Sequence, residues 1–163
     1  MSENGFSDKC SREHTDDPEW IVQTKNMLRF SPGVVVWADN HKLMEFAAYL
    51  RAKGWTVPLD LVSCIEGAVR TLFDSLKFPF TDIRLHAWKA GFEYSPVLYF
   101  SCSAAWCFAT GLGWPCSSVF TSTMSYKLRE LTQCDEAHVT QHVPPDIAYP
   151  QQKIDFNVRL WWD

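Results

Sequence analysis

A run of thirty-three residues, from Tyr94 to Tyr126, contains no charged side chain, and few environments accept so long an uncharged segment. A membrane-spanning helix needs roughly 20 predominantly apolar residues. Polar and helix-breaking residues interrupt this run at Ser101, Ser103, Thr110, Gly111, Gly113 and Pro115. We therefore expect no membrane insertion, and we interpret the run as protein core or as a surface that contacts another protein.

Length and composition are those of one globular domain. The 163 residues are enough to bury a hydrophobic core, and the hydrophobic fraction of 47% and the charged fraction of 21% are ordinary. Aromatic residues reach 15%, with eight tryptophans. Large rings fill both cores and protein–protein interfaces, so composition alone does not separate these two uses.

The formal net charge of −4 belongs to the beginning of the chain. Residues 1–20 hold six acidic and two basic side chains, and the rest of the chain holds thirteen of each. Nucleic-acid binding needs clustered lysine and arginine, so we expect no general nucleic-acid binding. The polar beginning predicts a flexible acidic leader over residues 1–17, followed by a single domain over residues 18–163.

The six cysteines are expected to be free thiols. The first twenty residues contain no apolar run of the kind that a signal peptide has, which favours the cytoplasm, where thiols stay reduced. No pattern in the chain indicates a cofactor, and the oligomeric state is left open.

Two consecutive helices are predicted over residues 41–53 and 59–77, because apolar residues recur there at spacings of three and four. The apolar positions are Leu43, Phe46, Ala47 and Leu50 in the first helix, and Val62, Ile65, Val69, Leu72, Phe73 and Leu76 in the second. Asp39 or Asn40 can cap the first helix, and Pro58 suits the first turn of the second.

Short strands are predicted before these helices. Branched and aromatic residues over positions 20–30 favour one or two strands, and Ser31-Pro32-Gly33 predicts a turn into a further strand over Val34–Trp37. Polar residues do not alternate along that strand, so we expect it to be covered on both faces.

Further strands follow the helices. Residues 83–87 alternate between apolar and polar, which predicts a half-buried strand, and residues 97–104 provide its hairpin partner, with Gly91 and Pro96 in the turn. Residues 117–126 suit a strand or a short amphipathic helix. The alternation over 154–160 predicts a last strand that returns to the sheet. The fold class is therefore α+β, with a mainly antiparallel sheet and the two helices packed on one face.

The leading functional hypothesis is a non-enzymatic cytosolic protein that binds another protein. Inhibitors, immunity proteins and phage counter-defence proteins have this compact, aromatic-rich profile. The predicted contact residues are Trp106, Trp114 and Trp161, with Tyr94 or Tyr99 beside them. Adjacent strand residues face opposite ways, so Trp161 points away from the core if its neighbours point into it.

A cysteine hydrolase is the first alternative. If a helix begins near residue 117, its N-terminal dipole would lower the pKa of Cys116. His138 or His142 would then act as the base and Asp146 as the residue that orients it, in the order that cysteine nucleophiles use.

A structural zinc site is the second alternative. Cys134, His138 and His142 are four residues apart, which would place all three on one face of a helix. This hypothesis requires residues 134–142 to be helical.

Overall fold

The computed structural model describes residues 17–29, 31–75, 80–107, 117–142 and 151–163. In these parts of the chain there are four helices and five strands. In chain order they are α1 (Glu19–Met27), β1 (Val34–Trp37), α2 (Asn40–Ala52), α3 (Leu61–Asp74), β2 (Thr81–Glu93), β3 (Ser95–Cys107), α4 (Ser117–Thr132), β4 (Glu136–His142) and β5 (Gln151–Trp161).

The five strands form one antiparallel sheet with the order β1-β2-β3-β5-β4. The strand β3 is central, and β1 and β4 are the edges. The predicted α+β class, with two consecutive helices against one face of an antiparallel sheet, is confirmed.

One side of the sheet and the helices enclose the hydrophobic core. Along β5 the residues at even positions are buried, as the alternation predicts: Ile154, Phe156, Val158 and Leu160. Two aromatic groups fill the core. Phe46 of α2 packs edge-on against Phe92 and Trp162, and Phe73 of α3 packs against Phe120 and Phe156.

The two predicted helices lie close to their expected bounds. Asp39 caps α2 by accepting a hydrogen bond from the backbone N–H of Lys42 at 2.8 Å. Asp60 caps α3 through the N–H of Ser63 at 3.0 Å, so this helix begins later than predicted and leaves Leu59 81% exposed. Its predicted end at residue 77 lies outside the described residues.

The prediction of strands over residues 20–30 is wrong where the structure describes them, because α1 occupies positions 19–27. Ile21 and Thr24 are buried and Leu28 packs against the core, which is a helical spacing. The branched residue types outweighed that spacing in the prediction.

Asp17, the last residue of the predicted leader, contacts the folded body. Its carboxylate lies 3.4 Å from the Lys25 ammonium and 3.9 Å from that of Lys53, which is buried after the end of α2. Asp17 is thus attached to the folded body. The rest of the predicted leader lies outside the described residues.

Two further expectations about strands are wrong. The strand β1 is an edge strand, and Trp37 is 64% exposed instead of covered. Gly91 and Pro96 lie inside β2 and β3, and the chain turns at Tyr94, whose φ of 66° is in the left-handed region. The turn is tight because Glu93 and Ser95 already pair across it.

Candidate functional site

The side of the sheet that faces away from the helices forms what we call the open face. Strand alternation places every second side chain there, and the register aligns them in rows across the strands. One row reaches all five strands: Trp37 of β1, Lys89 of β2, Tyr99 of β3, Arg159 of β5 and His138 of β4. It combines three aromatic or imidazole rings with two cations.

Trp37 and Lys89 form the β1 end of this row. The Lys89 ammonium lies 4.4 Å from the centre of the Trp37 ring, within the range of a cation–π interaction. Trp37 is the most exposed tryptophan among the described residues, because β1 has a neighbouring strand on one side only.

Glu93 holds the middle of the row. Its two carboxylate oxygens each accept from the Tyr99 hydroxyl at 2.8 Å, and one of them also accepts from Arg159 Nε at 3.0 Å. Burial and the bond to Glu93 raise the pKa of Tyr99. Burial lowers the pKa of Arg159, but its bonds to Tyr99 and Glu93 outweigh that effect and raise it. Both side chains are therefore held in fixed positions.

Trp161 lies beside this group. The guanidinium carbon of Arg159 is 5.7 Å from its ring centre. Trp161 is half-buried, whereas Leu160 and Trp162 on either side are buried in the core. The predicted outward orientation of Trp161 is thus what the strand alternation produces. Its register neighbour Val97 is fully buried although it lies outside the core cluster.

A second group of side chains on the open face, His86, Ser103 and Asp155, is joined by hydrogen bonds across β2, β3 and β5. The Ser103 hydroxyl donates to Asp155, and it therefore accepts from Nε2–H of His86 at 2.8 Å. In a nucleophilic triad the carboxylate binds the imidazole, and the imidazole accepts the hydroxyl proton. Here the carboxylate binds the hydroxyl, and the imidazole donates to that hydroxyl instead of accepting its proton. Ser103 is also only 2% exposed. This arrangement links three strands and does not activate a nucleophile.

A β-bulge in β2 shapes the open face. The register against β3 shifts between His86 and Lys89, and Ala87 has a left-handed φ of 59°. In a regular strand, residues three positions apart lie on opposite faces of the sheet. The extra residue of the bulge allows His86 and Lys89 to lie on the same, open face. Trp88 turns inward and stacks on Phe100 at 4.7 Å between ring centres.

A depression of about 360 Å³ lies at this bulge. Trp37, Lys89, Tyr99, Ser101 and Asn157 are among the residues that line it. The small side chain of Ala87, which also lines it, leaves room between the larger ones. The open face is therefore concave beside Lys89.

The predicted contact residues fall in different places. Trp161 lies on the open face. Trp106 belongs to β3 by its backbone, but its side chain lies outside the described residues, as does the whole of Trp114. Trp37 was not among the predicted contact residues, because an unbroken apolar run suggested a covered strand.

The hydrolase hypothesis stays a prediction. Cys116 and Asp146 lie outside the described residues, and His142 is described by its backbone alone. His138 is exposed on β4. A helix does begin at residue 117, as that hypothesis assumed.

The surroundings of the three described thiols raise their pKa values and so disfavour the thiolate form. Burial raises the pKa of Cys102 to about 12, and burial is also the main cause that raises the pKa values of Cys134 and Cys64. All three are free cysteines, and the Cys64 thiol donates a hydrogen bond to the Leu131 carbonyl. The thiolate is the nucleophile and the metal ligand, so these groups suit neither use.

The helical spacing assumed for a zinc site is wrong, because residues 136–142 form the strand β4. Along a strand, residues four positions apart are separated by about 13 Å. Cys134 is buried, whereas His138 is exposed. No group of three or more His, Cys, Asp or Glu side chains in the described ranges is arranged to hold a metal ion.

None of the helices in the described parts of the chain has both the length and the apolar character that crossing a bilayer requires. Comparisons with protein-family models, with curated proteins and with solved structures found no match to this chain.

Proposed function

We propose that this protein is a non-enzymatic module that acts by binding another protein, as inhibitors, immunity proteins and phage counter-defence proteins do. The open face is its contact surface. One observation carries the proposal: Trp37, Tyr99, Arg159 and Trp161 lie together on the side of the sheet away from the helices. Tryptophan, tyrosine and arginine are the residue types that dominate the binding energy of protein interfaces.

The fixed positions of Tyr99 and Arg159 support this use. Binding costs free energy when flexible side chains become ordered, at roughly 0.5–1.5 kcal/mol for each. Glu93 already holds both side chains in the free protein. Much of that cost is therefore met before a partner arrives.

The charges of the open face favour a protein over a nucleic acid. Lys89 and Arg159 stand among the carboxylates of Glu93, Asp155 and Glu136, so both signs alternate across the sheet. A phosphate backbone would meet repulsion as well as attraction there. A protein surface with its own mixed charges can match such a pattern.

We place this activity in the cytoplasm. The free thiols of Cys64, Cys102 and Cys134 suit a reducing compartment. Trp106 and Trp114 remain candidate contact residues of the protein.

Comparative capture from a lysate of the source organism tests the proposal. The baits are the wild-type chain, two open-face variants (Trp37→Ala and Arg159→Ala) and two control variants that remove exposed apolar side chains elsewhere (Met44→Ala on α2 and Leu59→Ala before α3). Circular dichroism and thermal melts verify that each bait is folded. Bound proteins are quantified by mass spectrometry.

We expect a partner that the wild type and both controls retain and that each open-face variant loses. Removing an interface anchor costs about 2 kcal/mol or more, which is roughly a thirtyfold loss of affinity. If folded Trp37→Ala and Arg159→Ala baits capture the same proteins in the same amounts as the wild type, the open face is not the contact surface.

A further inference from the structure

Lys89 is a half-buried cation without a carboxylate partner among the described residues. Its ammonium group lies over the Trp37 ring. Glu93 provides a carboxylate that lines the same depression. This carboxylate already accepts hydrogen bonds from Tyr99 and Arg159. Partial burial of a charge costs free energy unless an opposite charge compensates it.

We propose that the depression beside Lys89 receives an acidic side chain, aspartate or glutamate, of the partner protein. This inference rests on the proposed function and specifies the chemistry of the partner. The partner's carboxylate pairs with the Lys89 ammonium, and an apolar side chain next to it packs on the exposed Trp37 ring. The concave space of about 360 Å³ accommodates side chains from a short segment of a protein.

Asn157 supplies a second polar contact for the carboxylate. The Ser101 hydroxyl donates to Asn157 Oδ1 at 3.0 Å, which fixes the orientation of the amide. The Nδ2 group of Asn157 can then donate to an incoming oxygen, since a side-chain amide has two N–H donors. Both residues line the depression together with Lys89.

A carboxylate suits this site better than a phosphate group. Phosphate recognition relies on clustered arginines or on several backbone N–H groups at a helix N-terminus. Here one lysine is available, and Glu93 engages the nearby Arg159. A single negative charge matches one free ammonium group.

Two matched peptides test the inference by NMR on the isotope-labelled full chain. The probes are acetyl-Leu-Glu-Leu-amide and acetyl-Leu-Gln-Leu-amide, which differ only in the charge. We expect the glutamate peptide to shift the Trp37 indole signal and the backbone amides of Lys89, Ser101 and Asn157. It should bind about fivefold more tightly than the glutamine peptide, as one partly exposed ion pair allows.

Charge variants provide the controls. Lys89→Met should abolish the preference for glutamate, Lys89→Arg should keep it, and Lys127→Met, which removes an exposed lysine on α4, should leave it unchanged. Equal binding of the two peptides by the wild type, or a preference that survives Lys89→Met, overturns the inference. Lys89→Met is added as a bait to the capture experiment. A partner that this bait retains, but that the Trp37→Ala and Arg159→Ala baits lose, would preserve the proposed function and exclude the acidic specificity alone.

Discussion

The Glu93 carboxylate receives hydrogen bonds from two side chains that belong to different strands, Tyr99 of β3 and Arg159 of β5. The Glu93 and Arg159 side chains are 32% and 29% exposed, so solvent screens their ion pair and its contribution to stability is about 1 kcal/mol or less. The larger effect of the Glu93 contacts is to fix the positions of the Tyr99 and Arg159 side chains. The sequence pattern placed residues 89–96 in a turn, and it therefore offered no indication of this role for Glu93.

Glu93→Gln should lower the pKa of Tyr99. Glu93 raises that pKa because its negative charge and its bond to the hydroxyl both disfavour the phenolate, and the variant removes the charge. Burial, the largest cause, still raises the pKa in the variant, whereas the hydrogen bond and the charge of Arg159 lower it. NMR titration of the labelled tyrosine ring measures this. Glu136→Gln, at the exposed edge of the sheet, is the control, and an unchanged Tyr99 pKa in Glu93→Gln would contradict the described contact.

Elements with a clear period were predictable, and the short helix α1 was not. Thirteen or more residues of α2 and α3 show the helical spacing several times over, and β5 shows four alternations. The nine residues of α1 show too few repeats to outweigh their branched residue types. The branched residues of β1 did predict that strand, but not the exposure of Trp37. The bulge at Ala87 follows from no pattern in the chain, because its left-handed φ is borne by an ordinary residue and not by glycine.

Two glycine-to-alanine substitutions should have opposite effects on stability. A Cβ at Gly91 in β2 would overlap the Val34 carbonyl oxygen of β1, so Gly91→Ala should force the two strands apart and destabilise the fold by about 2 kcal/mol. A Cβ at Gly67 in α3 has no neighbour within 4 Å, so Gly67→Ala should stabilise the fold by up to about 1 kcal/mol. Urea denaturation measures both. An unchanged free energy of unfolding in Gly91→Ala would show that β1 does not lie this close to β2.

At the scale of the whole molecule, the open face is formed by residues that are far apart in the sequence, so no local sequence pattern could predict it. Its central row draws residues from positions 37, 89, 99, 138 and 159, and they become neighbours only through the strand order β1-β2-β3-β5-β4 and its register. The outward orientation of Trp161 was predictable, since it requires only the alternation along one strand. Its place beside Arg159, Tyr99 and Glu93 was not.

The free energy of unfolding should fall at alkaline pH because Cys102 is buried in the core on the helix side of the sheet. Its pKa is about 12 in the folded protein and 9.0 when exposed. The folded state thus retains the thiol proton to a higher pH than the unfolded state does. The resulting stabilisation is complete below pH 9 and is lost between pH 9 and 12, by up to about 1.4 kcal/mol for each pH unit.

Cys102→Ala removes this titration, so its unfolding free energy should decline less steeply than that of the wild type above pH 9. Between pH 6 and 8 the two proteins should differ by a constant amount, set by the lost packing of the sulfur atom. Urea denaturation at pH 7, 8, 9 and 10 measures the difference, and Cys64→Ala, at a less buried thiol, should change the slope less. Equal slopes for the wild type and Cys102→Ala above pH 9 would mean that the thiol meets solvent in the folded state, and that the central strand is not covered on its helix side.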